Sequence, residues 1–238
     1  AEIVISNTFS TNKHALSDAD QGHNFEVLNE YAVKLAVEAR EHLNKDNVLV
    51  AGGISYWIWT DNKPSLGELN SSITQQAKIM ADAGADLIML EMMKDIEQMM
   101  TTLKAAQTSE LPIWVGLSCE PDKSNKMCLL DGDSLEDTIQ ELKSYNPDVI
   151  NIMHTEVEYV DQCLDILQNE WSGHIGVYAH SGTSIGGDWT FNNVISAEEY
   201  CAYSSKWKKR GVNFIGGCCG VHTEHIQMIG RELFNNTR

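Results

Sequence analysis

The strongest constraint on the fold is a pattern that repeats seven times: a short apolar run, a polar loop and an amphipathic helical stretch. The apolar runs are residues 3–6, 48–51, 87–90, 113–117, 149–153, 175–178 and 214–216. The helical stretches are approximately residues 24–43, 68–83, 95–106, 133–144, 156–169, 196–209 and 222–235. Continuous apolar strands that alternate with helices predict a parallel sheet covered by helices on both faces.

Seven consecutive units favour a (β/α)8 TIM barrel over an open doubly wound sheet, which usually carries a glycine-rich phosphate loop that we do not find. Because seven is one short of eight and the chain begins almost inside a strand, we expect the first βα unit to lie before Ala1. The alternatives are a barrel that closes in an unusual way or a partner chain that fills the gap in a homo-oligomer. No linker divides residues 1–238, which predicts a single domain.

Charge and composition narrow the functional classes. The chain has 17 basic and 34 acidic residues, a net charge of −17, which disfavours binding to nucleic acids and to anionic membranes. No apolar run is long enough for a transmembrane helix, and the start of the sequence lacks signal-peptide features. Six cysteines, two of them adjacent, favour reduced thiols in a cytoplasmic protein over a disulfide scaffold.

Polar residues follow several of the predicted strands. In a parallel barrel the working residues lie at the carboxyl ends of the strands and in the loops after them. The candidates at these positions are Asn7, residues 55–59, Glu91, Cys119, His154, His180 and residues 216–220.

The segment Gly216-Gly-Cys-Cys-Gly220 is the most informative of these. Its glycines allow close backbone approach, and two adjacent thiols can both ligate one soft ion such as zinc. The alternative is a pair of inert buried cysteines, since free cysteine is common in protein cores. The glycine-rich setting at a strand end favours metal or thiol chemistry.

Five segments resemble, in order, the homocysteine S-methyltransferase family. They are residues 5–9 (Ile-Ser-Asn-Thr-Phe), 50–55 (Val-Ala-Gly-Gly-Ile-Ser), 85–91 (Ala-Asp-Leu-Ile-Met-Leu-Glu), 112–115 (Pro-Ile-Trp-Val) and 211–226 (Gly-Val-Asn-Phe-Ile-Gly-Gly-Cys-Cys-Gly-Val-His-Thr-Glu-His-Ile). The resemblance implies a (β/α)8 barrel with a catalytic zinc held by three thiolates. It also implies methyl transfer from a sulfonium or quaternary ammonium donor to a thiol such as homocysteine, giving methionine. The implied partners are therefore a small-molecule thiol and a methyl donor.

The sequence departs from the family at the first thiolate. Residues 151–155 read Asn-Ile-Met-His-Thr, so His154 stands where the family has a cysteine. Imidazole is a good zinc ligand, and we predict a Zn²⁺ site of His154, Cys218 and Cys219 with neutral charge instead of −1. The alternatives are a lost metal site, or Cys119 as a replacement thiolate.

Substrate contacts are implied at other strand ends. By resemblance, Glu91 holds the amino group of homocysteine; the alternative is a structural ion pair. Asn7, an amide at a strand end, is expected to bind the amino acid or a neighbouring loop. Aromatic rings bind onium cations, and the loop that starts at Ser55 supplies three of them directly after a strand end. This favours a donor cage of Tyr56, Trp57 and Trp59 together with Trp189. His180 replaces the usual asparagine of the family and lines the pocket or fixes a loop. The alternative for each ring is ordinary loop packing.

Two other functions stay open at this point. The chain could be a non-catalytic or repurposed barrel that binds an onium or amino-acid ligand, which the cysteine-to-histidine change supports. It could also be a methyltransferase for a different thiol.

Overall fold

The computed structural model describes residues 1–60, 63–184 and 191–234. Its contacts group into two compact units, residues 2–116 and residues 117–238 together with Ala1. Each unit is built from strands that alternate with helices. Whether they form a single domain, as the sequence predicts, stays a prediction.

The first unit contains parallel strands in the order β1-β2-β3-β4. Its strands are β1 (Ile3–Ile5), β2 (Leu49–Ile54), β3 (Leu87–Met93) and the start of β4 (Ile113–Pro121). Its helices are α1 (Lys13–Asp18), α2 (Phe25–His42), α3 (Leu66–Asp82) and α4 (Ile96–Ala106), with 3₁₀ turns at Gly22–Asn24 and Gln107–Ser109. Residues 50–54 of β2 and 87–90 of β3 are buried, as expected for strands covered on both faces.

The second unit continues from β4 with the strand order β4-β6-β7-β10. Its further strands are β5 (Met127–Leu129), β6 (Val149–Glu156), β7 (His174–His180), β8 (Thr183–Ser184), β9 (Phe191–Asn192) and β10 (Phe214–Ile215). Its helices are α5 (Leu135–Lys143), α6 (Val160–Glu170), α7 (Ala197–Lys209) and α8 (Thr223–Ile229), and α8 continues into a π-turn at Gly230–Phe234. The pairs β6/β7 and β7/β10 are parallel, whereas β5 and the short pair β8/β9 are antiparallel.

The predicted alternation is confirmed: all seven apolar runs form strands and all seven helical stretches form helices. One short helix and three short strands were not predicted. Helix α1 has only six residues, too few to show a periodic pattern, and is capped by Asn12, whose side chain accepts from the Ala15 amide. Strand β5 folds back on β4, and the pair β8/β9 has two residues in each strand.

Strand β1 and helix α2 of the first unit both carry exposed apolar side chains. Strand β1 is the terminal strand in the described order, and its Val4 and Ile5 are about two-fifths exposed. On α2, Val27, Tyr31 and Leu35 are exposed along one stripe. The complete eight-stranded barrel and a βα unit before Ala1 stay predictions.

Within the described residues, no helix combines the length and apolar character needed to cross a bilayer.

Helix α3 offers a test of how its first turn is stabilised. The Ser65 side chain accepts from the Glu68 amide while the Glu68 carboxylate accepts from the Ser65 amide, forming a capping box. We expect Ser65→Ala to lower the free energy of unfolding by about 1 kcal/mol. The control is Ser71→Ala in the exposed middle of the same helix, which should raise it by up to about 0.5 kcal/mol because alanine is the better helix former. Urea unfolding of both variants measures this, and equal effects would contradict the capping role.

Candidate metal centre

His154 lies at a β-bulge near the end of β6. The register pairs Met153 with Tyr178 and then Glu156 with His180, so two residues of β6 stand opposite one of β7. His154 has a φ of +43°, in the left-handed region that non-glycine residues rarely adopt. The buried Thr155 hydroxyl donates to the Met153 carbonyl (2.9 Å) and accepts from the Cys119 amide (3.0 Å). These bonds hold the bulge and turn His154 out of the regular strand alternation.

The two cysteines lie on a backbone segment that extends β10 along β7. The Gly216 amide donates to the Val177 carbonyl (2.9 Å), and the Cys218 amide donates to the Ala179 carbonyl (3.0 Å). The Cys219 carbonyl in turn accepts from the Ser181 amide (2.9 Å). The thiols are therefore carried by sheet-like backbone rather than by a free loop.

Two glycines allow this segment to pass so close to its neighbours. A Cβ on Gly220 would lie 2.0 Å from the Ser181 carbonyl oxygen, and the residue has a φ of +72°. A Cβ on Gly217 would lie 2.1 Å from the Val221 side chain. The glycines around the cysteine pair thus have the steric role that the sequence predicts.

The three predicted ligands come together. The Cys218 Sγ lies 3.6 Å from His154 Nδ1 and 3.8 Å from Cys219 Sγ. One donor atom from each of the three residues lies within 4.8 Å of the others. Tetrahedral zinc with bonds of about 2.3 Å to sulfur and about 2.0 Å to nitrogen needs sulfur–sulfur separations of about 3.8 Å and sulfur–nitrogen separations of about 3.5 Å. The donor set therefore fits a tetrahedral metal ion, and three protein ligands leave one position for a substrate.

The surroundings of Cys219 favour the thiolate form of its side chain. A hydrogen bond from Cys218 lowers the pKa of Cys219 to about 5, helped by His154 and His180 and opposed by burial. His180 packs beside His154, with ring centroids 4.8 Å apart, and burial lowers its pKa, as does the neighbouring His154. The His180 Nδ1 is buried, and no hydrogen-bond partner for it is found among the described residues. Thiolate and neutral imidazole are the protonation states that ligate metal ions.

Cys119, the alternative third ligand, lies in a different environment from His154, Cys218 and Cys219. It is buried, and a hydrogen bond with Cys163 together with burial raises its pKa well above the ordinary range of thiols. Among the described residues, the group of donors close enough to share a metal ion contains Cys218 and Cys219 but not Cys119. This favours His154 over Cys119 as the third ligand.

The predicted acceptor-binding residues lie in the first unit. Asn7 is exposed just after β1. Glu91, on β3, lies over the backbone of β2: a Cβ built on Gly53 would come within 2.7 Å of the Glu91 Oε2. Gly53 is thus what allows the carboxylate to approach the neighbouring strand. Their roles toward a substrate stay predictions.

In the predicted aromatic loop, two side chains bind backbone groups and the Trp57 ring is half-exposed. The Ser55 hydroxyl donates to the Phe9 carbonyl (2.6 Å), and the Tyr56 hydroxyl accepts from the Lys94 amide (2.7 Å), so both side chains fix backbone. Trp57 is half-buried and packs against Trp59 with ring centroids 4.4 Å apart. Trp189 lies outside the described residues.

Two residues of the centre were not predicted. Thr155 sets the bulge, and the buried Tyr200 on α7 places its hydroxyl on the backbone beside the cysteines. A threonine next to a strand-end histidine and a tyrosine at an apolar helix position carry no recognisable motif.

The comparisons with known proteins agree with this geometry. A family profile described as homocysteine S-methyltransferase matches residues 1–233. The chain therefore belongs to the homocysteine S-methyltransferase family, which confirms the predicted resemblance.

Relatives with assigned names support the same family. Homocysteine S-methyltransferase 2 of Arabidopsis thaliana is 28% identical over 210 residues, which cover 81% of this chain and 62% of that protein. A selenocysteine methyltransferase of Astragalus bisulcatus is 24% identical over 80% of this chain and 60% of its own length. The chain thus spans less than two thirds of the length of these two relatives.

A solved structure shows the fold. The homocysteine methyltransferase MmuM from Escherichia coli, in its metallated form, superposes with a TM-score of 0.79 and 20% sequence identity. The match covers 97% of this chain and 79% of that one. The chain therefore has the TIM-barrel-like α/β fold of that protein.

The depressed pKa of Cys219 gives a testable reactivity. In reduced, metal-free protein, alkylation of Cys219 by iodoacetamide should keep a nearly constant rate from neutral pH to about pH 6 and fall only near about pH 5, because the thiolate is the nucleophile. Cys218→Ala removes the hydrogen bond and should move this fall to higher pH. Peptide mapping by mass spectrometry measures the rate.

Cys201 is the internal control in the same samples, because burial raises the pKa of its thiol. Parallel pH profiles for Cys201 and Cys219 would contradict the thiolate character of the centre.

Proposed function

We propose that this protein is a zinc-dependent S-methyltransferase that moves a methyl group from a sulfonium or quaternary ammonium donor to a thiol such as homocysteine, giving methionine. The observation that carries the proposal is the donor set of His154, Cys218 and Cys219, whose 3.6 and 3.8 Å separations suit one tetrahedral ion. Membership of the homocysteine S-methyltransferase family supports the same reaction class.

In the proposed reaction the acceptor thiol loses its proton and its sulfur attacks the methyl carbon of the donor. The new sulfur–carbon bond forms as the bond from carbon to the positive sulfur or nitrogen breaks, and the leaving group departs neutral. A bound zinc ion supplies Lewis acidity that presents the acceptor as thiolate at neutral pH. Charge disappears as thiolate and cation react, so a site that excludes water favours the step.

His154, Cys218 and Cys219 hold the ion in this proposal. Two thiolates and one neutral imidazole give a donor set one charge less negative than the three thiolates implied by the family resemblance. A less negative set lowers the pKa of the acceptor thiol further. It also reduces the nucleophilicity of that sulfur, because nucleophilicity falls with basicity.

For substrate recognition, we propose that Glu91 binds the amino group of the acceptor, with Asn7 contributing an amide. The carboxylate is already brought close to the glycine backbone of β2 at Gly53, which supports an ordered role for Glu91. Trp57 offers a half-exposed ring for an onium methyl group, with Ser55 and Tyr56 as its backbone supports. Trp189 and His180 complete the set of proposed donor-side residues.

Metal content is the first test. Reduced protein purified without added metal should carry about one zinc ion per chain, and His154→Ala should bind zinc at least about tenfold more weakly. The control is His23→Ala, an exposed histidine of the first unit. Zinc kept in full by His154→Ala would move the third ligand to another residue such as Cys119. No zinc in the wild type would overturn the proposed mechanism.

Methyl transfer separates the proposed enzyme from a binding protein. Loaded protein mixed with homocysteine and S-methylmethionine or betaine should form methionine, measured by mass spectrometry, and Cys219→Ala should abolish the reaction because it removes a ligand. Tight onium binding without product from homocysteine or from other thiols would instead support a repurposed barrel.

The histidine ligand has a predicted effect on pH dependence. Changing His154→Cys adds one negative charge to the donor set, so the pKa of the bound acceptor thiol should rise. The acidic limb of the kcat profile, which reports groups in the bound complex, should therefore move to higher pH, by on the order of one unit. A profile that stays in place, in a variant that still binds zinc, would show that this charge does not set the acceptor pKa.

A further inference from the structure

Tyr200 is a buried tyrosine whose hydroxyl reaches the backbone beside the metal centre. Its side chain is fully buried on α7, the helix that connects β7 with β10. The hydroxyl lies 3.1 Å from the Ala179 carbonyl oxygen and 2.9 Å from the Gly216 carbonyl oxygen. One side chain thus contacts the ends of both strands at once.

These two carbonyls stand next to the residues of the site. Ala179 precedes His180, and its carbonyl also accepts from the Cys218 amide at 3.0 Å. Gly216 lies two residues before Cys218 on the extension of β10. The hydroxyl therefore lies where it can fix the distance between β7 and the cysteine segment, next to Cys218.

The ring that carries this hydroxyl is itself fixed. Trp207 and His225 both meet it edge to face, with ring centroids 5.7 and 5.9 Å away. His225 is held in turn, because its Nδ1 accepts from the His222 amide (3.1 Å) and its Nε2 lies 3.0 Å from the Ile195 carbonyl oxygen. The hydroxyl position is thus determined by rigid contacts on two sides.

We infer that Tyr200 is a positioning residue of the metal centre, whose hydroxyl bridges the Ala179 and Gly216 carbonyls and thereby orients the thiol of Cys218 toward His154 and Cys219. This inference rests on the proposed metal site. The hydroxyl touches no ligand atom and acts only through backbone. Phenylalanine at this position keeps the ring contacts and removes the bridge alone.

The experiment compares Tyr200→Phe with Tyr203→Phe. Tyr203 lies one turn further along the same helix, half-buried, with its ring against Trp207, and no hydrogen bond of its hydroxyl is found in the described part of the chain. The affinity for Zn²⁺ is measured by competition with a chromophoric chelator, and the visible spectrum is recorded with Co²⁺. Circular dichroism checks that both metal-free variants are folded at the temperature used.

We expect Tyr200→Phe to weaken zinc binding by about tenfold, the lower range for residues that orient metal ligands, and to alter the Co²⁺ spectrum. Tyr203→Phe should leave both unchanged. A purely structural role would lower thermal stability but move neither affinity nor spectrum of the folded protein, so equal affinity and equal spectra would overturn the inference. Failure of the wild type to bind any metal would instead overturn the proposed function, and the inference with it.

A second measurement needs no variant and applies if Tyr200→Phe does not fold. In metal-free wild-type protein, the Cys218 amide should exchange with deuterium slowly, because the bridge holds its acceptor, the Ala179 carbonyl, in place. The reference is the amide of Asn125 in the exposed turn after β4. Exchange at Cys218 as fast as at Asn125 would overturn the inference.

Discussion

The candidate metal centre depends on the parallel pairing between β7 and the chain from Asn213 to Cys219. The pairing begins where Asn213 exchanges hydrogen bonds with Ile175 through its amide and its side-chain oxygen, and it ends where Ser181 donates to Cys219. Backbone hydrogen bonds at every second residue from Ile175 to Ser181 fix both the path and the direction of the cysteine segment. The placement of the two adjacent cysteines beside β7 is therefore a property of the sheet.

His154 is fitted to that pair by a local departure from regular structure. A positive φ at a histidine costs roughly 1–2 kcal/mol, which the bulge can hold only because neighbouring bonds determine it. Thr155 supplies them on both sides, toward Met153 within β6 and toward Cys119 on β4. Hydrogen bonds in the buried sheet thus offset the cost of the positive φ, and the bulge places the imidazole beside Cys218. Strain of this kind concentrates at functional sites, which agrees with the proposed role of the centre.

The alternation of strands and helices could be predicted because the hydrophobic pattern of each segment indicates its own secondary structure. Apolar runs such as 149–153 and helical stretches such as 95–106 carry the period of their element, and they appear as β6 and α4 with small shifts at the ends. The ligand set was predicted from adjacency and from position in the family pattern. The bulge at His154 was not predicted, because it depends on a hydrogen bond between the Thr155 hydroxyl and the Cys119 amide on another strand. The role of Tyr200 is not predictable for a similar reason: its position in the helix pattern indicates a core residue, and only the fold brings its hydroxyl to the Ala179 and Gly216 carbonyls.

Replacement of a thiolate by His154 has two opposed consequences for the proposed reaction. Nucleophilicity of a thiolate falls by roughly threefold for each unit by which its pKa is lowered. The fraction present as thiolate rises up to about tenfold for the same unit, but only while the pKa lies above the ambient pH. A neutral donor set therefore gains rate for acceptors that would stay protonated beside three thiolates, and loses rate for acceptors that would already be ionised there. Weakly acidic thiols are thus the acceptors to which a His154, Cys218 and Cys219 centre is suited.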